Sequence, residues 1–369
     1  MAVKYLAGDR LIGTAAERAA LSGSTQNAIA QTSWKEIGRS TLTSAGDTLD
    51  TGTIVAKDNL LILVIGHKNG TGGQIERLRF NADDGDNYTK RYAENGGNDS
   101  TTDTDYIELG VDSEDSEFGV IYVRNTASKE KLLSGHCMAR GSTGSGAIGN
   151  RLEVVGKWNR TSGSGTGDAS DRITKVQVLD KADQMGNSKL DTGSELVVLG
   201  CDDDEADSGT NFWQELASVD ITSGDNHTTG TFTAKKWLMF TTTVVTTGGA
   251  VSQRTTFNDT TSGYAQRKCF DGGSENTSLN SANLDGLNDD LVTNSIGFTT
   301  YFMYNETSKE KLGIGHAISG EATGAGTAPT RDEETFKWIG SAQIVKIDFD
   351  NNKSGDWTTG SNIRVWGSD

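Results

Sequence analysis

The stretch SKEKLLSGH at Ser128–His136 returns as SKEKLGIGH at Ser308–His316. Further matching stretches lie around these two in the same order along the chain. They are Trp34–Gly38 with Trp213–Ala217, Thr51–Lys57 with Thr229–Lys235, Lys157-Trp158 with Lys337-Trp338, and Thr192–Gly200 with Thr359–Gly367. Because so many anchors recur in one order, the sequence indicates an internal duplication.

The two copies are long enough to be separate domains. Each runs to roughly 160 residues, and a unit of that size can bury its own core, whereas a short solenoid repeat needs neighbours. We expect a tandem of two domains at residues 31–202 and 209–369, joined by the acidic stretch Asp202–Gly209. Residues 1–30 stand outside the repeat, as a short helix or as an arm that orders against a partner.

Composition favours an all-β fold. The chain has 46 glycines and one proline, and small polar residues separate its short apolar runs, as turns between strands require. Eight or nine short strands per copy indicate a two-sheet β-sandwich, and the copy length favours a jelly roll over an immunoglobulin-like domain. The predicted strands of the first copy are Trp34–Thr41, Asp50–Ala56, Leu60–His67, Gln74–Phe80, Phe118–Arg124, Lys131–Met138, Leu152–Lys157, Ile173–Leu179 and Glu195–Leu199.

Two details of this pattern refine the prediction. The continuous apolar run Leu60–Ile65 is typical of a buried central strand. Helices are nearly absent, and the only local candidates are the SKEKL stretches and Thr14–Leu21.

The charge and the cysteines exclude several classes of protein. A formal net charge of −17 repels phosphate, so we expect no binding to nucleic acid. The N-terminus has no apolar leader and no run approaches a membrane span, which predicts synthesis in the cytoplasm. Cys137, Cys201 and Cys269 show no paired spacing, so neither a disulfide framework nor a zinc site is expected.

Residues that could carry catalysis form no recognisable motif. His136 and His316 occupy matching positions without a second ligand at metal spacing, which favours a structural role in a strand. No nucleophile elbow, phosphate-binding loop or zinc-protease motif is present. Paired acids for glycoside hydrolysis need no local motif, but the residues that match between the copies are of structural types. We therefore expect no catalytic residue, no cofactor and no enzymatic activity.

Two groups of residues remain as weaker candidates. Carboxylates on loops are possible Ca²⁺ ligands, although neither cluster fits the EF-hand spacing, so no metal is expected. These candidates are Asp83, Asp84, Asp86, Asp348, Asp350 and Asp356.

Tryptophans without a counterpart in the other copy, and polar residues of the arm, are candidates for interface or ligand-facing roles. These are Tyr5, Arg10, Trp237, Trp357 and Trp366.

Several of these stretches resemble a family of tandem β-sandwich proteins from marine phages and archaeal viruses. The resemblance is carried by Phe80–Arg91, Ser128–His136, Thr192–Gly200 and an opening arm at Tyr5–Thr14. It covers almost the whole chain and implies a virion structural protein of jelly-roll type, a capsid or capsid-decorating component. It also implies homo-oligomers, contacts with other virion proteins and location in the virion, and it implies no catalytic residue.

A second class of function stays open. A β-sandwich without a catalytic motif is equally typical of a carbohydrate-binding or adhesin module on a virion or cell surface, with a host-surface glycan as partner. The two classes differ in their surfaces. A capsid tile makes large apolar self-contacts, whereas a sugar binder keeps an aromatic-lined groove exposed.

Overall fold

The computed structural model describes residues 34–69, 76–110, 116–127, 129–159, 172–180, 189–202, 211–285, 291–320 and 329–369. Every regular element in these ranges is a β-strand, and every strand pairing is antiparallel. The all-β class predicted from the glycine-rich, proline-poor composition is therefore confirmed. The predicted arm lies outside the described residues.

The first half of the chain, residues 34–202, forms one large and one small sheet in its described part. Its strands are β1 (Lys35–Thr41), β2 (Thr48–Asp50), β3 (Asn59–Asn69), β4 (Glu76–Phe80), β5 (Tyr88–Glu94), β6 (Ser100–Thr104), β7 (Ile107–Glu108), β8 (Ser116–Arg124), β9 (Lys131–Ala139), β10 (Arg151–Trp158), β11 (Val176–Asp180), β12 (Lys189–Leu190) and β13 (Glu195–Cys201). The large sheet has the order β1-β13-β3-β8-β9-β10-β5-β6, with β12 beside β3, and the small sheet has the order β2-β11-β4-β7.

The second half, residues 211–369, has the same strand order in its two sheets. Its strands are β14 (Gln214–Ile221), β15 (Asn226–Thr228), β16 (Trp237–Thr247), β17 (Gln253–Phe257), β18 (Tyr264–Phe270), β19 (Asn276–Ser281), β20 (Leu284–Asp285), β21 (Ile296–Tyr304), β22 (Lys311–Gly320), β23 (Thr330–Trp338), β24 (Ile347–Asn351), β25 (Asp356–Trp357) and β26 (Ser361–Ser368). The large sheet runs β14-β26-β16-β21-β22-β23-β18-β19, with β25 beside β16, and the small sheet runs β15-β24-β17-β20.

Each half is a β-sandwich with its own core. In the first half, alternate residues of β3 point toward the small sheet, where Leu60 and Ile62 pack with Leu78 and Val178. In the second half, Leu238 and Phe240 of β16 meet Phe257 and Phe349 in the same way. The face of a large sheet that covers its own small sheet is called its inner face below, and the opposite face is its outer face.

An aromatic pair fills the same place in both inner cores. The Trp158 and Tyr88 rings stack at a centroid distance of 6.3 Å, and the Trp338 and Tyr264 rings stack at the same distance. Each tyrosine hydroxyl accepts a hydrogen bond from a backbone N–H of the small sheet, that of Phe80 or of Phe257. Trp158 and Trp338 are therefore core residues of the two sandwiches.

Repeated asparagines fasten the loops of each sandwich. The Asn125 carboxamide donates to the carbonyls of Lys57 and Ile173, while its oxygen accepts from the Ile173 N–H. Asn305 makes the corresponding three bonds to Lys235 and Ile344. Because buried backbone groups need partners, one asparagine that satisfies three of them is a structural requirement at this position.

The SKEKL stretches form turns rather than helices. Lys131 and Lys311 are buried, and each ammonium donates to the carbonyl two residues back, Lys129 or Lys309, at 2.6 Å. Ser308 has a φ of 63°, which ends any right-handed helical path there. The second helix candidate, Thr14–Leu21, lies outside the described residues.

The nine predicted strands largely match observed strands, but β5, β6, β7 and β12 have no predicted counterpart. Strand β2 ends at Asp50, whereas the prediction extended from Asp50 to Ala56, because Gly52 takes a φ of 65° and turns the chain. Strand β5 was not predicted, because its sequence YTKRYAE is rich in charge. The structure buries Lys90 of β5 in an ion pair with Glu108 at 2.7 Å.

Candidate functional site

The outer faces of the two large sheets pack against each other. Strand β3 therefore lies between two apolar layers: its even-numbered residues from Leu60 to Val64 face the inner core, and Leu61, Leu63 and Ile65 face the second half. This double burial explains the continuous apolar run Leu60–Ile65. The body is four sheets thick, in the order small, large, large, small.

The shared apolar layer, called the central layer below, draws side chains from both halves. The first half contributes Leu61, Leu63, Ile65, Phe118, Val120, Met138, Val197 and Leu199. The second half contributes Phe212, Trp213, Trp237, Met239, Phe302, Tyr304, Leu312, Ile314 and Trp366. Burial of apolar area is the main stabilising term in protein association, so this layer fixes the two halves together.

Polar contacts fix the register of the halves at one edge of the central layer. The buried carboxylate of Glu195 accepts from Trp237 Nε1 at 3.1 Å and from Lys236 Nζ at 2.6 Å, both in the second half. Arg39, beside Glu195 in the first half, donates to the same carboxylate at 2.7 Å. Thr41 Oγ1 donates to it as well, at 3.0 Å. A buried carboxylate with four donors is fully compensated, and it ties β13 to β16.

The two matching histidines meet across the central layer. His316 Nε2 lies 3.1 Å from His136 Nδ1, and the ring centroids are 4.0 Å apart. Burial lowers the pKa of His136 to about 4 and that of His316 to about 3, with positive Arg151 and Arg331 nearby and Glu333 opposing them. The pair is therefore neutral at pH 7, with one ring donating and the other accepting.

Next to the histidines lies a buried cluster of one arginine and three carboxylates. Arg151 donates to Glu275 at 2.9 Å and to Glu333 at 2.8 Å, both in the second half, and also pairs with Glu153. Arg267 approaches Glu275 at 2.9 Å.

The carboxylates of this cluster differ in their affinity for protons. Burial and the hydrogen bond to Glu333 raise the pKa of Glu153 to about 7. Although burial opposes ionisation of Glu333, hydrogen bonds from Glu153 and Arg151 lower its pKa to about 2. The two glutamates thus share a proton, as close acids do.

A polar cavity of about 240 Å³ opens where the halves meet. His67 lies at its wall, with Nε2 3.0 Å from the Tyr304 hydroxyl and Nδ1 3.3 Å from Ser116 Oγ. Burial and the nearby charges of Lys309 and Lys236 lower the pKa of His67 to about 3. The His67–Tyr304 hydrogen bond joins the two halves at this cavity, and Ser116 lines it.

The acidic Ca²⁺ candidates do not converge. Asp83 accepts from Trp158 Nε1 at 2.7 Å and from the Asn87 carboxamide, and Asp350 pairs with Arg254 at 2.7 Å. Asp348 pairs with Lys346, while Asp84, Asp86 and Asp356 are exposed. Within the described ranges no three His, Cys, Asp or Glu side chains group closely enough to hold a metal ion.

The unmatched tryptophans are buried, in two different places. Trp237 and Trp366 lie in the central layer between the halves. Trp357 is fully buried in the inner core of the second half, beside Phe349 and His227, which corrects the expectation that it faces an interface or a ligand. The reason is that β25 pairs with β16 and carries this ring under the sheet. Tyr5 and Arg10 lie outside the described residues.

Sequence reasoning missed the residues that join the halves. Glu195, Arg151 and Glu333 act through contacts between the two copies, and no local pattern marks them. The one available signal was the conspicuous match of His136 with His316, since equivalent residues often meet where duplicated units pack.

Comparisons with known proteins leave the chain without an assigned family. No family model matches it, and no curated protein matches it. Among solved structures, it is similar to domains LG4-5 of the mouse laminin alpha1 chain, with 9% identity over 90% of both chains and a TM-score of 0.17. It is also similar to human GIVD cytosolic phospholipase A2, with 8% identity over 77% of this chain and 33% of that chain and a TM-score of 0.12. TM-scores this low carry no argument about function.

In the part of the chain that the structure describes, no helix has the length and apolarity needed to cross a membrane.

Proposed function

We propose that the protein is a structural component of a virus particle, a capsid or capsid-decorating protein that works as a repeating homo-oligomer. The supporting observation is the central layer, which buries the outer faces of both large sheets against each other. A body of four packed sheets is rigid, and rigidity suits a building block. The resemblance of Phe80–Arg91 and Ser128–His136 to virion proteins adds to this proposal.

The finer architecture belongs to the same proposal. The two halves repeat one strand order, and we take them as two jelly-roll-like domains from a duplication, at residues 31–202 and 209–369. A chain with two similar domains mimics two subunits, so three chains would present six similar units. The other proposed partners are further virion proteins. For this chain itself we propose neither enzymatic activity nor binding of nucleic acid.

The experiment that tests this function is a comparison of assembly at two ionic strengths. A net charge of −17 opposes self-association, and the Debye length falls from about 30 Å at 0.01 M salt to about 3 Å at 1 M. Sedimentation velocity and negative-stain microscopy of the full chain are expected to show large regular oligomers at high salt and dissociation at low salt. A strict monomer in high salt at millimolar protein concentration would contradict the proposal.

One observation favours the alternative of a carbohydrate-binding protein. A groove of about 360 Å³ on the first half is lined by Trp34, Tyr122, Arg124 and Leu132, and the Tyr122 ring is half exposed. Aromatic rings with polar neighbours are suited to sugars. Fluorescence titration with oligosaccharides decides this: tight binding that is lost in Tyr122→Ala, together with a monomer in high salt, would favour an adhesin.

A further inference from the structure

The two large sheets bury opposite ends of their outer faces, and equivalent residues such as His136 and His316 meet between those ends. On each large sheet we call the end of the outer face at the start of β8 or β21 the head, and the opposite end the tail. Phe118 opposite Met138 marks the head of the first half, as Phe298 opposite Ile318 marks the head of the second. Leu132 of β9 and Leu312 of β22 mark the two tails.

The head of the first half is buried, whereas the head of the second half is exposed. Phe118 is 1% exposed and packs on Trp237, whereas the equivalent Phe298 is 44% exposed. The same contrast separates Met138 from Ile318, which is 49% exposed. Ile296, next to Phe298 on the same face, is also half exposed. The second half thus presents an apolar head with nothing from the described residues covering it.

The tails show the reverse: the tail of the second half is buried, and the tail of the first half is exposed. Leu312 is 1% exposed in the central layer, whereas Leu132, the same residue of the same SKEKL motif, is 56% exposed. Phe302 is buried, while its equivalent Tyr122 stays half exposed although one edge of its ring meets Phe302. Val155, which lies diagonally from Leu132 across β9 and β10, is half exposed too. Among the residues that the structure describes, the first half therefore presents an open apolar tail.

We propose that the open head of the second half in one chain packs on the open tail of the first half in another copy of this chain. The contact would repeat the one that already joins the two halves, where the head of the first half packs on the tail of the second. Because the two open surfaces are equivalent to the two surfaces that already pack together within the chain, the partner is a second copy of this chain. In both pairs an apolar head, with Phe118 or Phe298, meets a tail built around Leu312 or Leu132.

The contact between chains is weaker than the contact within a chain. The open tail carries Asn59, Arg124 and Ser134 at the positions where the buried tail carries Trp237, Tyr304 and Ile314. Polar residues at these three positions reduce the apolar area that the contact can bury. Reversible association follows, in contrast to the permanent union of the two halves.

The proposed interface is heterologous, because two different surfaces meet. Such a contact does not saturate in a dimer: each chain keeps one open head and one open tail until a ring closes or a filament grows. This inference deepens the proposed function, on which it rests, by naming the two surfaces through which the homo-oligomer forms.

The test uses two full-length variants that each block one surface. Leu132→Glu places a charge in the tail and Phe298→Glu places a charge in the head. Val55→Glu is the matched control, since Val55 is an exposed apolar residue outside both surfaces. Masses are measured by sedimentation velocity in high salt over a range of concentrations.

The expected results distinguish a failure of the two proposed contact surfaces from a failure of the proposed structural function. Wild type and Val55→Glu grow beyond the dimer, each blocked variant alone loses these larger species, and an equimolar mixture of the two blocked variants forms a dimer and nothing larger. The mixture also shows that both variants are folded, because each supplies its intact surface. Oligomers that persist in both variants would overturn these surfaces while leaving the structural function in place. A wild-type monomer at every concentration would overturn both.

Discussion

His136 Nδ1 and His316 Nε2 lie 3.1 Å apart, although 180 residues separate them in the chain. The two residues are equivalent in the repeat, so the pair marks a place where one half of the chain meets the matching surface of the other. Contact between equivalent positions requires that one ring donates while the other accepts. Protonation of both rings would remove the acceptor and place two charges together in a buried site.

This relationship predicts a loss of stability in acid. The unfolded histidines take up protons below about pH 6.5, whereas burial keeps the pKa of the folded pair at about 4 and about 3. Stability is therefore lost as the pH falls from about 6.5 toward 4, by about 1–2 kcal/mol per histidine at pH 5.

The measurement is urea unfolding at pH 7.5 and pH 5 for wild type and the double variant His136→Gln/His316→Gln. The fall in the free energy of unfolding between the two pH values is expected to be smaller in the variant. The shared proton of Glu153 and Glu333 acts in the opposite direction in both proteins, so the comparison isolates the histidines. An equal fall in both proteins would be evidence against a buried neutral pair.

The two SKEKL motifs give a matched pair of substitutions. Leu312→Ala opens a cavity in the central layer and is expected to cost about 2–5 kcal/mol, whereas Leu132→Ala at the equivalent exposed position is expected to stay within about 0.5 kcal/mol. Urea unfolding at low protein concentration, where the chain is monomeric, provides both values. Equal effects of the two substitutions would mean that the halves do not pack as described.

Arg151 is expected to be the most sensitive charged residue. Arg151→Met leaves the buried carboxylates of Glu275 and Glu333 without their main partner, which costs about 3–5 kcal/mol. The control is Arg91→Met, because the pair of Arg91 with Asp99 is exposed and contributes at most about 1 kcal/mol. Restoration of stability in Arg151→Met/Glu275→Gln/Glu333→Gln would identify the uncompensated charge as the cause, and a mild effect of Arg151→Met alone would refute it.

Removal of divalent metal is expected to leave the melting temperature unchanged within about 1 °C. The physical reason is that Asp83 is engaged by Trp158 and Asn87, and Asp350 by Arg254. Differential scanning calorimetry with and without a chelator provides the comparison. A clear drop that added Ca²⁺ restores would place a structural metal site on one of the aspartate loops.

The sequence allowed the prediction of local structure and of the residues inside each sandwich. The strand at Leu60–Ile65 followed from its apolar run, and large rings that recur in both halves, such as Trp158 and Trp338, are typical of core positions. These predictions depend on patterns within one stretch of chain, which the pleat of a strand and the burial of large rings produce directly.

The packing of the halves could not be predicted, because it depends on which surfaces meet. The apolar run Leu60–Ile65 predicts that both faces of the strand are buried, but it does not identify Trp237 and Phe302 as residues that bury the outer face. Trp357 looked like an interface residue because it has no counterpart, and the structure places it in a core through the pairing of β25 with β16. Burial of Leu312 and exposure of Leu132 in one identical motif shows most plainly that local sequence does not decide this level of structure.

We propose that this chain is a building block whose open head and open tail join neighbouring copies. A cryo-EM structure of the oligomer formed by the full chain in high salt tests it most directly. We predict that Phe298 of one copy packs on Leu132 and Tyr122 of the next copy, as Phe118 packs on the second half of its own chain. An oligomer in which Phe298 and Leu132 both face solvent would contradict the claim.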